Sequence, residues 1–160
     1  MLPRMSRSSS EERIVEAARR LGIEVEIHHF PEGTKTAEDA ARAIQCDVAA
    51  IVKTLVFTVD DEPVIALVPG DRKLSLTALA SAAGGQTVER ASPDVVRAAT
   101  GFVAGGTPPF GHTTDVPVFA DIALRRQPVL WAGGGTPSTV FSLSISDLEK
   151  ATNAVWTELS

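Results

Sequence analysis

A lysine stands inside the most apolar stretch of the chain, Ile51-Val52-Lys53-Thr54-Leu55-Val56-Phe57. A run so rich in β-branched and aromatic residues predicts a buried strand, where an ammonium loses hydration unless a carboxylate, carbonyls or a polar ligand replace the water. Lys53 therefore either lines a cavity or, being near the start of the run, snorkels along apolar surface with its charge in solvent. A second group with chemical potential is Gly101-Phe102-Val103-Ala104-Gly105-Gly106-Thr107-Pro108-Pro109-Phe110-Gly111-His112. Gly105 and Gly106 let backbone N–H groups come close to a ligand, while Pro108-Pro109 stiffens the segment and removes two competing donors. Such a segment can hold a carbonyl or a terminal nucleotide; an ordinary tight turn uses the same residues.

The remaining polar groups carry less. His28 and His29 are adjacent, so on a strand they face opposite ways and cannot share a metal. His112 beside the Gly-Pro segment is the better placed histidine, against the reading of a satisfied structural one. Cys46 paired with a distant histidine would make a nucleophile, but nothing local supports it. Asp121, at the end of an apolar run, either caps the next turn or accepts hydrogen bonds in a pocket. Ala132-Gly133-Gly134-Gly135-Thr136-Pro137 fits neither the dinucleotide fingerprint nor the P-loop and reads as a hairpin loop.

The elements that must position these residues follow from pattern. Ser9-Ser10-Glu11-Glu12 reads as a capping box for a helix carrying Ile14, Val15, Ala18 and Leu21 and stopped by Gly22. Alternation of Ile23, Val25 and Ile27 with charged residues predicts a half-buried strand. Thr36 starts an Ala-rich helix ending near Ile44. Asp60-Asp61-Glu62-Pro63 predicts the turn of an antiparallel hairpin between the Lys53 strand and 64–68. Further helices are predicted at 74–83, closed by Gly84-Gly85, and at 95–100 behind Ser92-Pro93-Asp94, with strands at 87–89, 116–120, 129–132 and 140–143. Ser146-Asp147-Leu148-Glu149 caps a final helix with Leu148, Ala151, Val155 and Leu159 on its apolar face. Hairpins mixed with short helices indicate an α+β class with a mixed sheet.

Composition narrows the function classes. The 160 residues are 44% hydrophobic, enough for one well-filled core, so a single domain over 10–160 behind a disordered tail at 1–9 is expected. Fifteen Lys and Arg against 20 Asp and Glu give a net charge of -5, which excludes a protein that coats nucleic acid but allows a local contact with its end. One cysteine, no zinc-site spacing, no signal-peptide h-region and no apolar run of about 18 residues point to a soluble, cytoplasmic protein.

Together the Ile51–Leu55 motif, the 101–111 segment, Asp121 and the closing Gly-rich strand pair resemble the YbaK/prolyl-tRNA-synthetase-associated family, from about Ile14 to the end of the chain. The resemblance implies a strongly curved, barrel-like mixed sheet surrounded by short helices. It implies an aminoacyl-tRNA deacylase that edits in trans, hydrolysing the ester of a mischarged tRNA, tRNA for proline above all, with no metal, cofactor or covalent intermediate. Lys53 is then the essential catalytic lysine. Phe30, Thr54, Gly101, Gly105, Gly106 and Thr107 are implied as substrate-binding, as are Pro108, Gly111, His112, Asp121, Gly133 and Gly134. The implied partners are the 3′-terminal adenosine of the acceptor end and prolyl-tRNA synthetase, with no membrane. Phe30, Thr36 and Gly133 stand where cysteine-acting members carry Tyr, Phe and Ser, which implies a pocket of another type. A non-catalytic module binding the aminoacyl end or a synthetase is the alternative, and a small-molecule binding protein is a third.

Overall fold

The computed structural model describes residues 9–34 and 36–160, and the expected tail at 1–9 lies outside them except for Ser9. Helix α1 (Ser9–Arg20) presents Ile14 and Ala18 to the core with no exposure and ends where Gly22 adopts φ 74°. Ser9 and Ser10 are already helical, so the cap falls outside the described residues. The strand predicted over 23–27 has no ladder. Its alternation survives as burial, with Ile23 in the core and Glu24 and Glu26 exposed, because pattern selects a face but supplies no partner. Pairing begins only at β1 (His28–His29).

Helix α2 (Ala37–Ile44) starts at Thr36, whose hydroxyl accepts the Asp39 amide at 3.0 Å, and a 3-10 turn (Val48–Ala50) leads into β2 (Val52–Val59). Strand β3 (Glu62–Pro69) returns antiparallel through a two-residue turn in which Asp60 and Asp61 both take left-handed φ, 48° and 68°. The Asp60 carboxylate accepts the Thr87 and Gln86 amides, which holds its pKa below the usual value. There follow α3 (Leu76–Ala83), β4 (Val88–Arg90) and α4 (Pro93–Thr100), the last with Ser92 as its cap and proline in the first turn. Beyond a long loop come β5 (Val118–Asp121), β6 (Val129–Gly133), β7 (Thr139–Ser144), α5 (Ile145–Thr152) and β8 (Val155–Thr157).

Two expectations at the C-terminal end need correcting. Ser144, not Ser146, caps α5 through the Asp147 amide. The helix stops at Asn153 (φ 51°), and Val155, Trp156 and Thr157 run as a strand parallel to β5. Three residues of high strand propensity after an αL asparagine prefer the open edge of β5 to another helical turn, which leaves Val155 54% exposed instead of on a buried helix face.

The fold is α+β, with five helices and two sheets among the described residues. The larger sheet, in order β4-β2-β3-β5-β8, is mixed, and the smaller, β1-β7-β6, is antiparallel. An isolated parallel bridge between Ile51 and Trp131 joins them. A single barrel-like sheet was expected, but the described strands do not close into a barrel. The β6–β7 hairpin pairs with β1, and β4 reaches only Phe57 through Val59, so the first half of β2 lacks a ladder on that side. Between the sheets lies the main core, with Val52, Val56, Ile65 and Leu67 opposite Leu130, Ala132 and Phe141. The other face of β3 buries Val64 and Ala66 with Leu79 of α3 and Leu159. Burial on both faces is why the β3 sequence reads as a continuous apolar run.

Candidate active site

Where β2 lacks a neighbour, a cavity of about 420 Å³ opens between the two sheets. The Ile51 carbonyl accepts the Gly70 amide on the β3 side, whereas the Val56 carbonyl accepts the Ala91 amide on the β4 side. Antiparallel alternation therefore turns the N–H and C=O of Thr54 toward the open edge. Lys53 and Thr54 both line the cavity. Lys53 is half-buried and its ammonium donates to the Arg72 carbonyl; among the described residues no carboxylate is in ion-pair contact with it. The cation is thus held by a dipole and keeps donors available for an incoming anion or carbonyl.

Threonines are prominent in the wall. Thr107 Oγ1 donates to the Val103 carbonyl at 3.1 Å, Thr34 Oγ1 to the Pro137 carbonyl at 3.1 Å, and Thr136 and Thr139 bond each other at 2.8 Å. Thr54 Oγ1 differs: it is buried and has no hydrogen-bond partner among the described residues. A buried hydroxyl without a partner is costly, so a small local shift that lets it bond a polar atom at the cavity surface is favoured.

The two glycine segments form one wall of the cavity together. Residues 101–112 make an Ω-like loop closed at its base by the Thr113 amide on the Thr100 carbonyl, 3.1 Å. Its tip contributes Ala104, Gly105 and Thr107, the end of β6 contributes Gly133, and the β6–β7 connection contributes Thr136. At Gly106 a Cβ would lie 2.9 Å from backbone atoms of Thr136; at Gly133 it would lie 3.4 Å from the Thr107 carbonyl oxygen. The loops meet main chain to main chain. The cluster after Ala132, which reads as a hairpin loop in sequence, is that and also a cavity wall.

Other residues named from the sequence sit elsewhere. Phe30 faces a separate hollow with Arg42 and Asp39, and Gly134, which packs on Thr139, is behind the wall. Gly101 and Gly111 form the neck of the Ω-like loop, with φ 80° and 84°. Pro108 is buried, and its carbonyl accepts His112 Nε2–H at 2.8 Å. Desolvation lowers the His112 pKa; the Pro108 bond acts the other way and is the weaker effect. The ring stands edge-on to Phe102, outside the cavity. Asp121, 2% exposed, caps the following 3-10 helix (Ile122–Arg126) through the Ala123 amide and accepts the Ser160 hydroxyl at 2.5 Å. Cys46 packs beside Ile51 outside the cavity lining, its thiol pKa raised by burial and by Asp47. His28 stacks edge-on to Trp131 while His29 reaches Glu11, so the adjacent histidines diverge.

Sequence reasoning missed several lining groups. Arg90 and Glu38 place one charge of each sign in the lining, and Trp131 supplies an aromatic face. Gly70 is required because a Cβ would lie 2.6 Å from the Val48 carbonyl oxygen. A glycine straight after an eight-residue apolar strand was the available signal for that contact. Nothing local marks Arg90, which enters through strand pairing.

Comparison with known proteins bears on this geometry. Residues 31–151 match the family described as Aminoacyl-tRNA editing domain. The proline–tRNA ligase of Maridesulfovibrio salexigens is 37% identical over 107 residues, covering 67% of this chain and 18% of the ligase. The chain thus spans less than a fifth of that relative's length. A protein of Enterococcus faecalis named EbsC, a candidate Cys-tRNA(Pro)/Cys-tRNA(Cys) deacylase, is 28% identical over 133 residues, 82% of this chain and 80% of that one. A crystal structure of a candidate trans-editing enzyme for prolyl-tRNA synthetase superposes with TM-score 0.91 at 36% identity, covering 97% of this chain and 99% of that one. The hypothetical protein APE2540 superposes with TM-score 0.84 at 25% identity, over 92% and 98% of the two chains.

Proposed function

This chain belongs to the aminoacyl-tRNA editing domain family, and from that premise we propose that it is a trans-acting deacylase which hydrolyses the ester between a wrong, small amino acid and tRNA, tRNA for proline above all. The observation that carries the reading is the cavity itself, in which a half-buried lysine, Thr54 and two abutting glycine loops line one space inside the matched segment.

An aminoacyl ester is already activated, so positioning it, polarising its carbonyl and admitting one water suffice. In this reading the 3′-terminal adenosine enters at the open edge of β2, with the Lys53 ammonium and the Arg90 guanidinium as the cations that meet its negative charge. Donors on the glycine wall, the Gly105 amide among them, hold the developing oxyanion. Water adds to the ester carbonyl; the bond to the ribose oxygen then breaks, and that oxygen takes up a proton. The free amino acid and the tRNA leave. The step as proposed passes through neither a metal nor an acyl-enzyme. Phosphate contact is local, which accords with a chain of net charge -5. A volume near 420 Å³ suits a small acyl group plus part of the nucleoside, and Ile51, Val96 and Val140 give its deep side an apolar character.

Cysteine is not the favoured acyl group, because Thr36 and Gly133 in the lining stand where cysteine-acting members carry bulkier or hydroxylated groups. The fine grading of substrates is set by size, since one methylene changes binding by only about 1–3 kcal/mol. Prolyl-tRNA synthetase as partner and the cytoplasm as site of action belong to the same proposal; none of the described helices is long and apolar enough to cross a membrane.

The test is deacylation of a panel of mischarged tRNAs with Pro-tRNA as control, by wild type and by Lys53→Ala. Turnover lost in a folded Lys53→Ala protein is expected. Binding without turnover by the wild type selects the non-catalytic module, and full activity of a folded Lys53→Ala protein ends the catalytic role of Lys53.

A further inference from the structure

We propose that Arg13, on a helix that precedes the family-matched segment, is a positioning residue that sets the Ω-like loop and hence the oxyanion donors of the cavity; this rests on the deacylase reading above. The neck of the loop is formed by Gly101 and Gly111, which both adopt left-handed φ. Arg13 holds that neck. Its Nη1–H donates to the Gly101 carbonyl at 2.7 Å, and its guanidinium lies 5.0 Å from the centroid of the Phe102 ring. Phe102 is 1% exposed and carries His112 edge-on at 6.4 Å. The stack Arg13–Phe102–His112 therefore ties α1 to both ends of the loop.

Fit at the neck is close. A Cβ on Gly101 would lie 2.6 Å from Arg13 Nη1 and 2.5 Å from Thr113 Cγ2, so the glycine answers to space as well as to φ. Gly111 rests on the same helix, with a Cβ position 3.5 Å from Ala17 Cβ and 3.8 Å from the Arg13 carbonyl oxygen. The second glycine segment touches it too: at Gly135 a Cβ would lie 3.1 Å from both Ile14 Cδ1 and Ser10 Cβ. One helix thus fixes the separation of the two glycine loops, and Arg13 supplies the directional bond. A half-buried guanidinium that donates to a carbonyl and stacks on a ring is a hinge pin, not merely core filler.

The experiment compares wild type, Arg13→Ala, Arg13→Lys and the exposed control Arg20→Ala, using steady-state deacylation of the best mischarged tRNA together with amide exchange. The probe amide is Gly106 N–H, which donates to the Val103 carbonyl at 3.1 Å within the loop tip. For Arg13→Ala we expect kcat to fall about tenfold with KM nearly unchanged, as for a sub-ångström displacement of catalytic donors. Gly106 exchange should accelerate by a similar factor while Leu67 in the core keeps its protection. Arg13→Lys, which retains a donor without the planar stack, should fall between, and Arg20→Ala should match wild type.

Wild-type kcat and wild-type Gly106 exchange in Arg13→Ala would overturn the inference. So would equal loss of protection at Gly106 and Leu67, which is the mark of general destabilisation. If the wild type turns over no mischarged tRNA the deacylase reading fails instead, and Gly106 exchange still decides whether Arg13 holds the loop.

Discussion

Consider Gly106→Ala. The substitution adds one methyl group at a residue whose φ lies outside the left-handed region, so the backbone itself accepts alanine. The obstacle is the other loop: the new Cβ would sit 2.9 Å from the Cα and carbonyl carbon of Thr136 and 3.0 Å from its nitrogen. Carbon atoms in contact prefer about 3.5–4.0 Å, so the two loops must part by roughly 0.6–1 Å. Main chain on both sides leaves no flexible side chain to yield. Overpacking of this kind costs about 1–3 kcal/mol of stability, and a displacement of that size at donors aligned with the ester carbonyl costs up to about 100-fold in rate. Gly105→Ala is the matched comparison, because a Cβ there meets nothing within 4 Å but φ is +89°. It pays in strain alone, about 1–2 kcal/mol. Thermal denaturation with single-turnover deacylation, both well below the melting temperature, separates the cases. Gly106→Ala should lose one to two orders of magnitude in kcat at a modest loss of stability. A Gly106→Ala protein with wild-type kcat would show that the separation of the loops does not matter to the chemistry.

Thr54→Val removes a buried hydroxyl that has no hydrogen-bond partner among the described residues. The melting temperature should hold or rise, the gain being at most about 1–3 kcal/mol, while deacylation falls; a variant that loses stability and keeps full activity refutes a ligand-facing role. The depressed pKa of His112 favours the neutral ring in the folded state, so its contribution to stability is complete above the unfolded value of about 6.5 and is lost as pH falls through the folded one. Wild type should therefore lose melting temperature more steeply than His112→Gln between about pH 6.5 and 5. Parallel curves would show that the ring titrates in the fold as it does in the unfolded chain.

Features governed by nearest neighbours were legible in the sequence. The Thr36 and Ser92 caps, the Asp60-Asp61 turn and the glycine stop after α3 each depend on a side chain within a few residues of the backbone it serves. Lys53 in an apolar run pointed to a cavity for a reason that is also local. What failed depended on partners far along the chain. The alternation at 23–27 gave the right burial and the wrong ladder. Val155 and Leu159, four apart, suggested a helix that the open edge of β5 outcompeted. At the candidate site, the sequence offered glycines without saying which loop each would meet, and Gly106 against Thr136 is a contact between segments thirty residues apart. Arg13 had only amphipathic helix around it to suggest a solvated role; its bond to Gly101 spans 88 residues.

The isolated bridge between Ile51 and Trp131 sets how the cavity can change shape. Two sheets sharing a full ladder would have to shear many hydrogen bonds to widen the mouth. Here, among the described residues, the sheets share one bridge, and what opposes widening is the apolar packing of Val52 and Val56 with Leu130 and Ala132. For the deacylase proposed above, bulkier acyl groups would then be opposed by side-chain packing between the sheets, and Trp131→Ala, which trims the cavity lining beside the bridge, should widen the range accepted.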